Sequence, residues 1–199
     1  MVFPEREIVI LQPPKTGGQA VQKALSGSRH HITGSGVWRH DTAEEIYTKM
    51  PEAREWKTAI LVRNPYDRLE SFYHYVRQSS PNANSVVKDV ILQHDTFQSF
   101  VENVNFFELF FMGDQIVEGA ATKLWPMVRY ARGAGMIGVD VIHNETLQRD
   151  LEIFLNMAVN LDRVNVTPYE RTQWTDFMRQ RVHKAFREDF EVFGYESAT

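Results

Sequence analysis

The sequence predicts an α/β fold, a three-layer sandwich with a central, mainly parallel sheet and helices on both faces. Three observations predict it. Short apolar runs that read as strands, Ile8-Val9-Ile10-Leu11, Thr58-Ala59-Ile60-Leu61-Val62 and Val139 to His143, are separated by stretches of helical pattern. The first two runs are continuously apolar or β-branched, as strands buried on both faces are. Both lead through a glycine or proline turn into a helix, the connection that parallel strands require. No internal repeat and no interdomain linker interrupts the chain, so residues 1–199 read as one domain.

The elements follow in order. Residues 7–12 form the first strand, and a helix runs from Gly18 to about Leu25. Ser26 to Val37, rich in glycine and serine with His30 and His31, reads as a loop. Asp41 or Thr42 caps a helix from Ala43 to about Met50, and Pro51 ends it. After the strand at 58–62, Asn64 caps a helix over 65–78 that places Pro65 at its first position. Ser79 to Ser85 is a loop, and helices follow at 86–93 and 96–104. The aromatic stretch Phe106 to Met112 fits no single period, Gly113 to Gly119 reads as loop and 120–132 as helix. Gly133, Gly135 and Gly138 turn the chain into strand 139–143. A helix over 146–157 and a long one over roughly 170–190 complete the chain.

The segment Pro13-Pro14-Lys15-Thr16-Gly17-Gly18 sits between a strand and a helix. Strand, glycine turn, helix is how a backbone builds an anion cradle. Glycines let main-chain N–H groups approach a phosphate or sulfate, and the helix N-terminus adds partial positive charge. Lys15 adds a full, mobile charge. A nucleoside-triphosphate loop places its lysine after the second glycine and follows it with a magnesium-binding hydroxyl. Here the lysine comes before the glycines, and Gln19 and Ala20 follow them. Arg63 stands at the C-terminal end of the second strand, and Ser71 lies two turns into the next helix. In open α/β sheets ligands bind at the carboxyl ends of strands, so both grips open onto one sheet edge.

These segments resemble the PAPS-dependent sulfotransferases, in particular the carbohydrate-type and bacterial branch, whose fold is P-loop-like; PAPS is 3′-phosphoadenosine 5′-phosphosulfate. The likeness rests on Pro-Lys-Thr-Gly-Gly after one strand and on Leu61-Val62-Arg63-Asn64-Pro65-Tyr66-Asp67-Arg68-Leu69-Glu70-Ser71-Phe72-Tyr73 after another. It extends to His40-Asp41-Thr42-Ala43-Glu44-Glu45-Ile46, to Val141-Ile142-His143-Asn144-Glu145-Thr146-Leu147 and to Asp189-Phe190-Glu191-Val192-Phe193-Gly194-Tyr195. The resemblance implies that Lys15, Thr16, Gly17, Gly18, Gln19 and Ala20 hold the 5′-phosphosulfate, and that Arg63 and Ser71 hold the 3′-phosphate. It implies a metal-free transfer of a sulfuryl group to a hydroxyl of an acceptor, a carbohydrate or a small molecule. The family usually carries a serine or threonine after the glycines. With Gln19 and Ala20 in their place, a charge-assisted hydrogen bond of about 1.5–3 kcal/mol is missing unless the Gln19 amide supplies it.

Sulfuryl transfer, like phosphoryl transfer, needs an in-line nucleophile and stabilisation of charge on the leaving phosphate. Lys15 and the N–H groups of Thr16, Gly17 and Gly18 suit that task, and Lys15 is the first catalytic candidate. His40 is the candidate base, since imidazole titrates near neutral pH. It serves equally well as an anchor for the helix at 43–50. Glu44 and Glu45 are the fallback bases. Arg63 alternatively forms an ion pair with Asp67. Phe106, Phe107, Phe110 and Phe111 read as core, with one of them free to line an acceptor pocket built by the loops at 26–39, 79–85 and 106–119. Trp38 and Trp125 are the residues able to stack on a base or sugar. Two other readings remain open: a magnesium-dependent small-molecule kinase of related fold, and a non-catalytic nucleotide-binding protein.

Composition narrows the partners. The net charge is −4, and the arginines and Lys184 near the C-terminus interleave with acidic residues, which reads as a solvated face. A nucleic acid or a polyanionic acceptor would call for a dense basic groove instead. The absence of cysteine excludes disulfides and thiolate metal sites. Met1 to Glu7 lacks a signal peptide's apolar core, and no run reaches membrane-spanning length. Against the membrane-anchored Golgi members, this predicts a soluble cytoplasmic protein.

Overall fold

Ile8-Val9-Ile10-Leu11 offers no polar face, so a strand made of it must be covered on both sides. A computed structural model describes residues 1–26, 36–78, 86–114, 124–135, 138–162 and 169–197, and in it all four of these residues are buried. In chain order the described elements are β1 (Val2–Phe3), β2 (Ile8–Leu11), α1 (Gly18–Ser26), α2 (Ala43–Lys49), β3 (Lys57–Val62), α3 (Pro65–Gln78), α4 (Val86–Leu92), α5 (Phe97–Asn103), α6 (Phe106–Asp114), α7 (Val128–Ala131), β4 (Val139–His143), α8 (Leu147–Leu155), α9 (Asp176–Ala185) and α10 (Arg187–Phe193). The sheet order is β1-β2-β3-β4. The strands β2, β3 and β4 run parallel, and the short β1 pairs antiparallel with β2. The chain is thus α/β with a mainly parallel sheet, as the sequence predicts. Among the described residues, no helix is long and apolar enough to cross a membrane.

The chain divides into two compact units, each made of two stretches of sequence. The first holds Met1–Arg63 and Met127–Val166. Its sheet packs Phe3, Ile8, Ile10, Ala59, Leu61 and Ile142 against Val21 of α1 and Leu151 and Phe154 of α8. The alternate residues Val9, Leu11, Ile60 and Val62 are buried as well. On that side Tyr47 of α2 shares a hydrogen bond of 3.1 Å with Thr58 of β3. The register sets Leu11 opposite Ile60 and Val62 opposite His143, so β3 and β4 end together and β2 ends two residues before them.

The second unit holds Asn64–Pro126 and Thr167–Thr199. It is helical and packs around rings. Tyr66 lies 5.0 Å from both Trp174 and Phe190, and Tyr73 lies 5.4 Å from Phe97 and Phe100. The start of α3 follows the sequence reading: Asn64 Oδ1 accepts the Tyr66 N–H at 3.0 Å, and Pro65 is the first helical residue. Asp67 accepts from Arg171 at 2.6 Å, in the unit it shares with that arginine. Arg181 does not lie on a solvated face. Its guanidinium donates to the carbonyls of Val101 and Val104 at 2.8 and 2.5 Å, which satisfies the C-terminal end of α5.

Two further expectations change. The long C-terminal helix is two helices, α9 and α10, which break at Phe186. That ring is buried against Phe106 and Phe110, with centroids at 5.8 and 5.2 Å, and Glu188 and Asp189 favour a new helix N-terminus just after it. The helix expected over 120–132 is described only as Val128–Ala131. Pro126 disfavours helical geometry at Trp125, so the described residues before it are irregular. The ambiguous aromatic stretch is helical through Asp114, including two residues expected in a loop. The segments 27–35, 79–85 and 115–119, with His30 and His31, lie outside the described residues.

Because Phe186 joins the helix break to the aromatic core, Phe186→Ala should destabilise the protein by about 3–5 kcal/mol. Equilibrium urea unfolding measures this; a loss below about 1 kcal/mol would mean that the ring does not hold the two helices in place.

Candidate functional site

The turn after β2 is built by chemistry that leaves few choices. Pro13 and Pro14 carry no N–H. Lys15 adopts φ 69°, a left-handed conformation uncommon for a residue with a side chain. Gly17 follows at φ 91°. A Cβ there would lie 2.6 Å from Asn144 Nδ2, so both the backbone angle and the available space call for glycine. Gly18 opens α1, and a Cβ on it would come within 2.1 Å of the Gln12 amide.

The carbonyls of this turn are taken up one after another. The Gln12 carbonyl lies 2.7 Å from His40 Nδ1. The Pro13 carbonyl accepts from Thr16 Oγ1 at 2.7 Å. The Lys15 carbonyl accepts from Arg63 Nη1 at 3.3 Å, and the Thr16 carbonyl from Asn144 Nδ2 at 3.3 Å. The Gly17 carbonyl accepts from Ala20 N–H at 3.0 Å as the first turn of α1 forms. The described chain has no cis peptide bond, so the C=O and N–H of each peptide point in opposite directions. Pinning the carbonyls of Lys15, Thr16 and Gly17 therefore turns the N–H groups of Thr16, Gly17 and Gly18 the other way. The Gly18 and Gln19 N–H groups also belong to a first helical turn, which has no intrahelical acceptors for them.

The charges suit an anion. Burial, and after it the positive charge of Arg63, lower the Lys15 pKa from 10.5 to about 8. An anion placed between the two cations would reverse the second effect and offset the first. Thr16 spends its hydroxyl inside the turn, so its contribution to a ligand is its N–H. Gln19 and Ala20 are half-buried on the first turn of α1.

His40 sits in a turn locked from both sides. Asp41 accepts the Trp38 N–H at 2.7 Å and pairs with Lys49 at the far end of α2 at 2.9 Å. Thr42, not Asp41, is the helix cap, in a reciprocal box with Glu45. The Glu45 carboxylate accepts the Thr42 N–H at 2.7 Å, so this fallback base already serves the helix. Glu44 is exposed, with its Cβ against Gly133. The His40 ring meets a carbonyl oxygen, which only accepts. Nδ1 therefore carries the proton, and Nε2 is the basic nitrogen of the neutral ring.

The first unit thus brings together Lys15, Thr16, Gly17, Gly18, His40 and Arg63. Ser71 belongs to the second unit, where it is buried on α3. Of the aromatic candidates, Phe106 and Phe110 are core, whereas Phe107 and Phe111 are 67% and 63% exposed. Trp125 is buried and donates to the Phe110 carbonyl at 3.1 Å, while Trp38 is largely exposed. Sequence reading missed two residues of the site, Gln12 and Asn144. The only signal for either was its place directly after an apolar strand, where ligands gather in α/β sheets.

The chain matches the family model described as Sulfotransferase family over residues 1–196. No curated protein and no solved structure matches it.

A buried, charged lysine destabilises the fold that holds it. The folded state releases the Lys15 proton near pH 8, the unfolded chain near 10.5, so stability rises with pH across that window and the full penalty is present below it. Lys15→Met should therefore stabilise the protein at pH 7 by about 1–3 kcal/mol, a gain that fades towards pH 10. Thermal or urea unfolding at both pH values checks this; a variant less stable than the parent at pH 7 would contradict the buried-charge account.

Proposed function

Since the chain belongs to the sulfotransferase family, we propose that it transfers a sulfuryl group from PAPS to a hydroxyl of an acceptor, a carbohydrate or a small molecule, by in-line displacement. The support for the choice of donor is the turn whose held carbonyls of Lys15, Thr16 and Gly17 turn three N–H groups away from those partners, next to the charge of Lys15. Bound there, PAPS supplies an activated sulfuryl group and adenosine 3′,5′-bisphosphate as the leaving group.

In this reading the N–H groups of Thr16, Gly17 and Gly18 hold the 5′-phosphate end, and Gln19 and Ala20 complete the first helical turn around it. Protonated Lys15 lies beside the bridging oxygen and stabilises the charge that grows on it as the S–O bond to the phosphate breaks. Nε2 of His40 takes the acceptor's hydroxyl proton as the new S–O bond forms. The carbonyl of Gln12 keeps the imidazole in the tautomer that can do so. Arg63 and Ser71 take the 3′-phosphate, as the motif implies, Arg63 through two N–H donors and Ser71 through its hydroxyl. That pair selects a 3′-phosphorylated nucleotide over ATP.

Calorimetry with adenosine 3′,5′-bisphosphate tests the donor assignment. The protein should bind it, and Arg63→Ala should weaken binding by about tenfold or more, the loss of a charge-assisted contact. Because the anion holds the Lys15 proton, affinity should fall as pH rises through about 8, with proton uptake on binding above that pH. Absence of binding, or equal binding by Arg63→Ala, would defeat the assignment, and a thermal shift with magnesium–ATP alone would favour a kinase.

The base is tested separately. His40→Ala should lower kcat by about 10²–10⁴-fold and leave bisphosphate affinity nearly unchanged. An unchanged kcat would return His40 to a purely structural role.

A further inference from the structure

Asn144 stands directly after β4, one residue past the pairing of Val62 with His143. It comes from the third of the three parallel strands, a strand outside both nucleotide motifs. Its Nδ2 donates to the Thr16 carbonyl at 3.3 Å, and it fills the space where a Cβ of Gly17 would lie. It thus lies along the carbonyl edge of the single peptide that joins Thr16 to Gly17. That peptide is trans and planar, so the direction of its carbonyl dictates the direction of the Gly17 N–H. With φ near 90° on both sides of zero open to glycine, residue 17 alone does not choose between the two orientations of this peptide. The Asn144 amide makes that choice.

The turn that carries Asn144 is itself held rigid. The carboxylate of Asp150, on the first turn of α8, accepts the His143 N–H at 3.1 Å and the Thr146 hydroxyl at 2.6 Å. These two bonds bracket Asn144 from either side in sequence. Strand β4 and helix α8 therefore fix the amide, the amide fixes one carbonyl, and the carbonyl fixes one N–H of the anion turn.

We infer that Asn144 is a positioning residue for donor binding, which aims the Gly17 N–H at the 5′-phosphate by holding the Thr16 carbonyl. This rests on the proposed donor site and assigns it a third strand. Asn144 does not touch the donor. Its loss should act on affinity rather than on the chemical step.

Two variants separate this role from simple packing. Asn144→Ala removes the hydrogen bond. Asn144→Asp keeps the shape but replaces the donor with an oxygen that cannot donate to a carbonyl, and it brings a negative charge towards the cradle. Bisphosphate affinity should fall about tenfold in the alanine variant and further in the aspartate variant, as expected for one lost hydrogen bond and then an added repulsion. The donor KM should rise in step, while kcat at saturating donor stays within about threefold. In the ligand-free protein, the Gly17 amide resonance should move in both variants. Equal affinity of wild type and Asn144→Ala, or wild-type affinity in the isosteric Asn144→Asp, would overturn the inference. A wild type that fails to bind the bisphosphate would instead sink the donor assignment; the Gly17 resonance would then still decide whether Asn144 orients the peptide.

Discussion

The pinning of the turn after β2 is the constraint on which the candidate site depends. A backbone amide is a weak and adaptable donor. It becomes a fixed one when the carbonyl of its own peptide is held elsewhere, because the peptide plane transmits the orientation. Here the carbonyls of Lys15 and Thr16 are held by side chains from elsewhere in the first unit, Arg63 after β3 and Asn144 after β4. The helix α1 holds the Gly17 carbonyl. The N–H side of the turn is therefore fixed by the fold itself, which is the condition for electrostatic stabilisation without reorganisation.

Such a turn is costly, and the sheet supplies the rigidity that maintains it. Lys15 sits at a backbone angle that side chains disfavour, and its charge is partly desolvated beside another cation. Strain and buried charge of this kind persist where the surroundings over-determine the geometry, and they gather at functional sites. The surroundings in question are three parallel strands, of which β2 and β3 are buried on both faces, with Gln12, Arg63 and Asn144 placed at or just beyond their carboxyl ends. The same economy appears around His40. Its turn is held by Asp41 and Lys49, while Thr42 and Glu45 start α2 next to it, so a few residues set both the helix and the ring.

Much of this was legible in the chain. The strand–glycine–helix segment around Lys15 and the strand–Asn-Pro–helix segment around Arg63 lie where local rules place them. Asn64 ahead of Pro65, and the choice of Asp41 or Thr42 ahead of Ala43, are readable as caps because capping is settled within one turn of a helix. What was not legible depends on partners far away in sequence. Nothing near Gln12 says that its amide will cover Gly18, and nothing near Asn144 says that it will meet Thr16 more than a hundred residues earlier. The break at Phe186 was missed for a related reason. Local propensity favours one continuous helix there, and burial of a ring against α6 outweighs it.

By itself, the sequence determined the α/β class, the strand ends on which a ligand would be gripped, and the residue types available there. These follow from short-range rules: apolar runs make buried strands, glycine permits tight turns, and proline and asparagine start helices. Only the tertiary structure decided which way the grip faces and which nitrogen of His40 carries its proton. Each of those is the direction of one hydrogen bond between segments distant in the chain, and a direction of that kind is set by where the strands and helices pack.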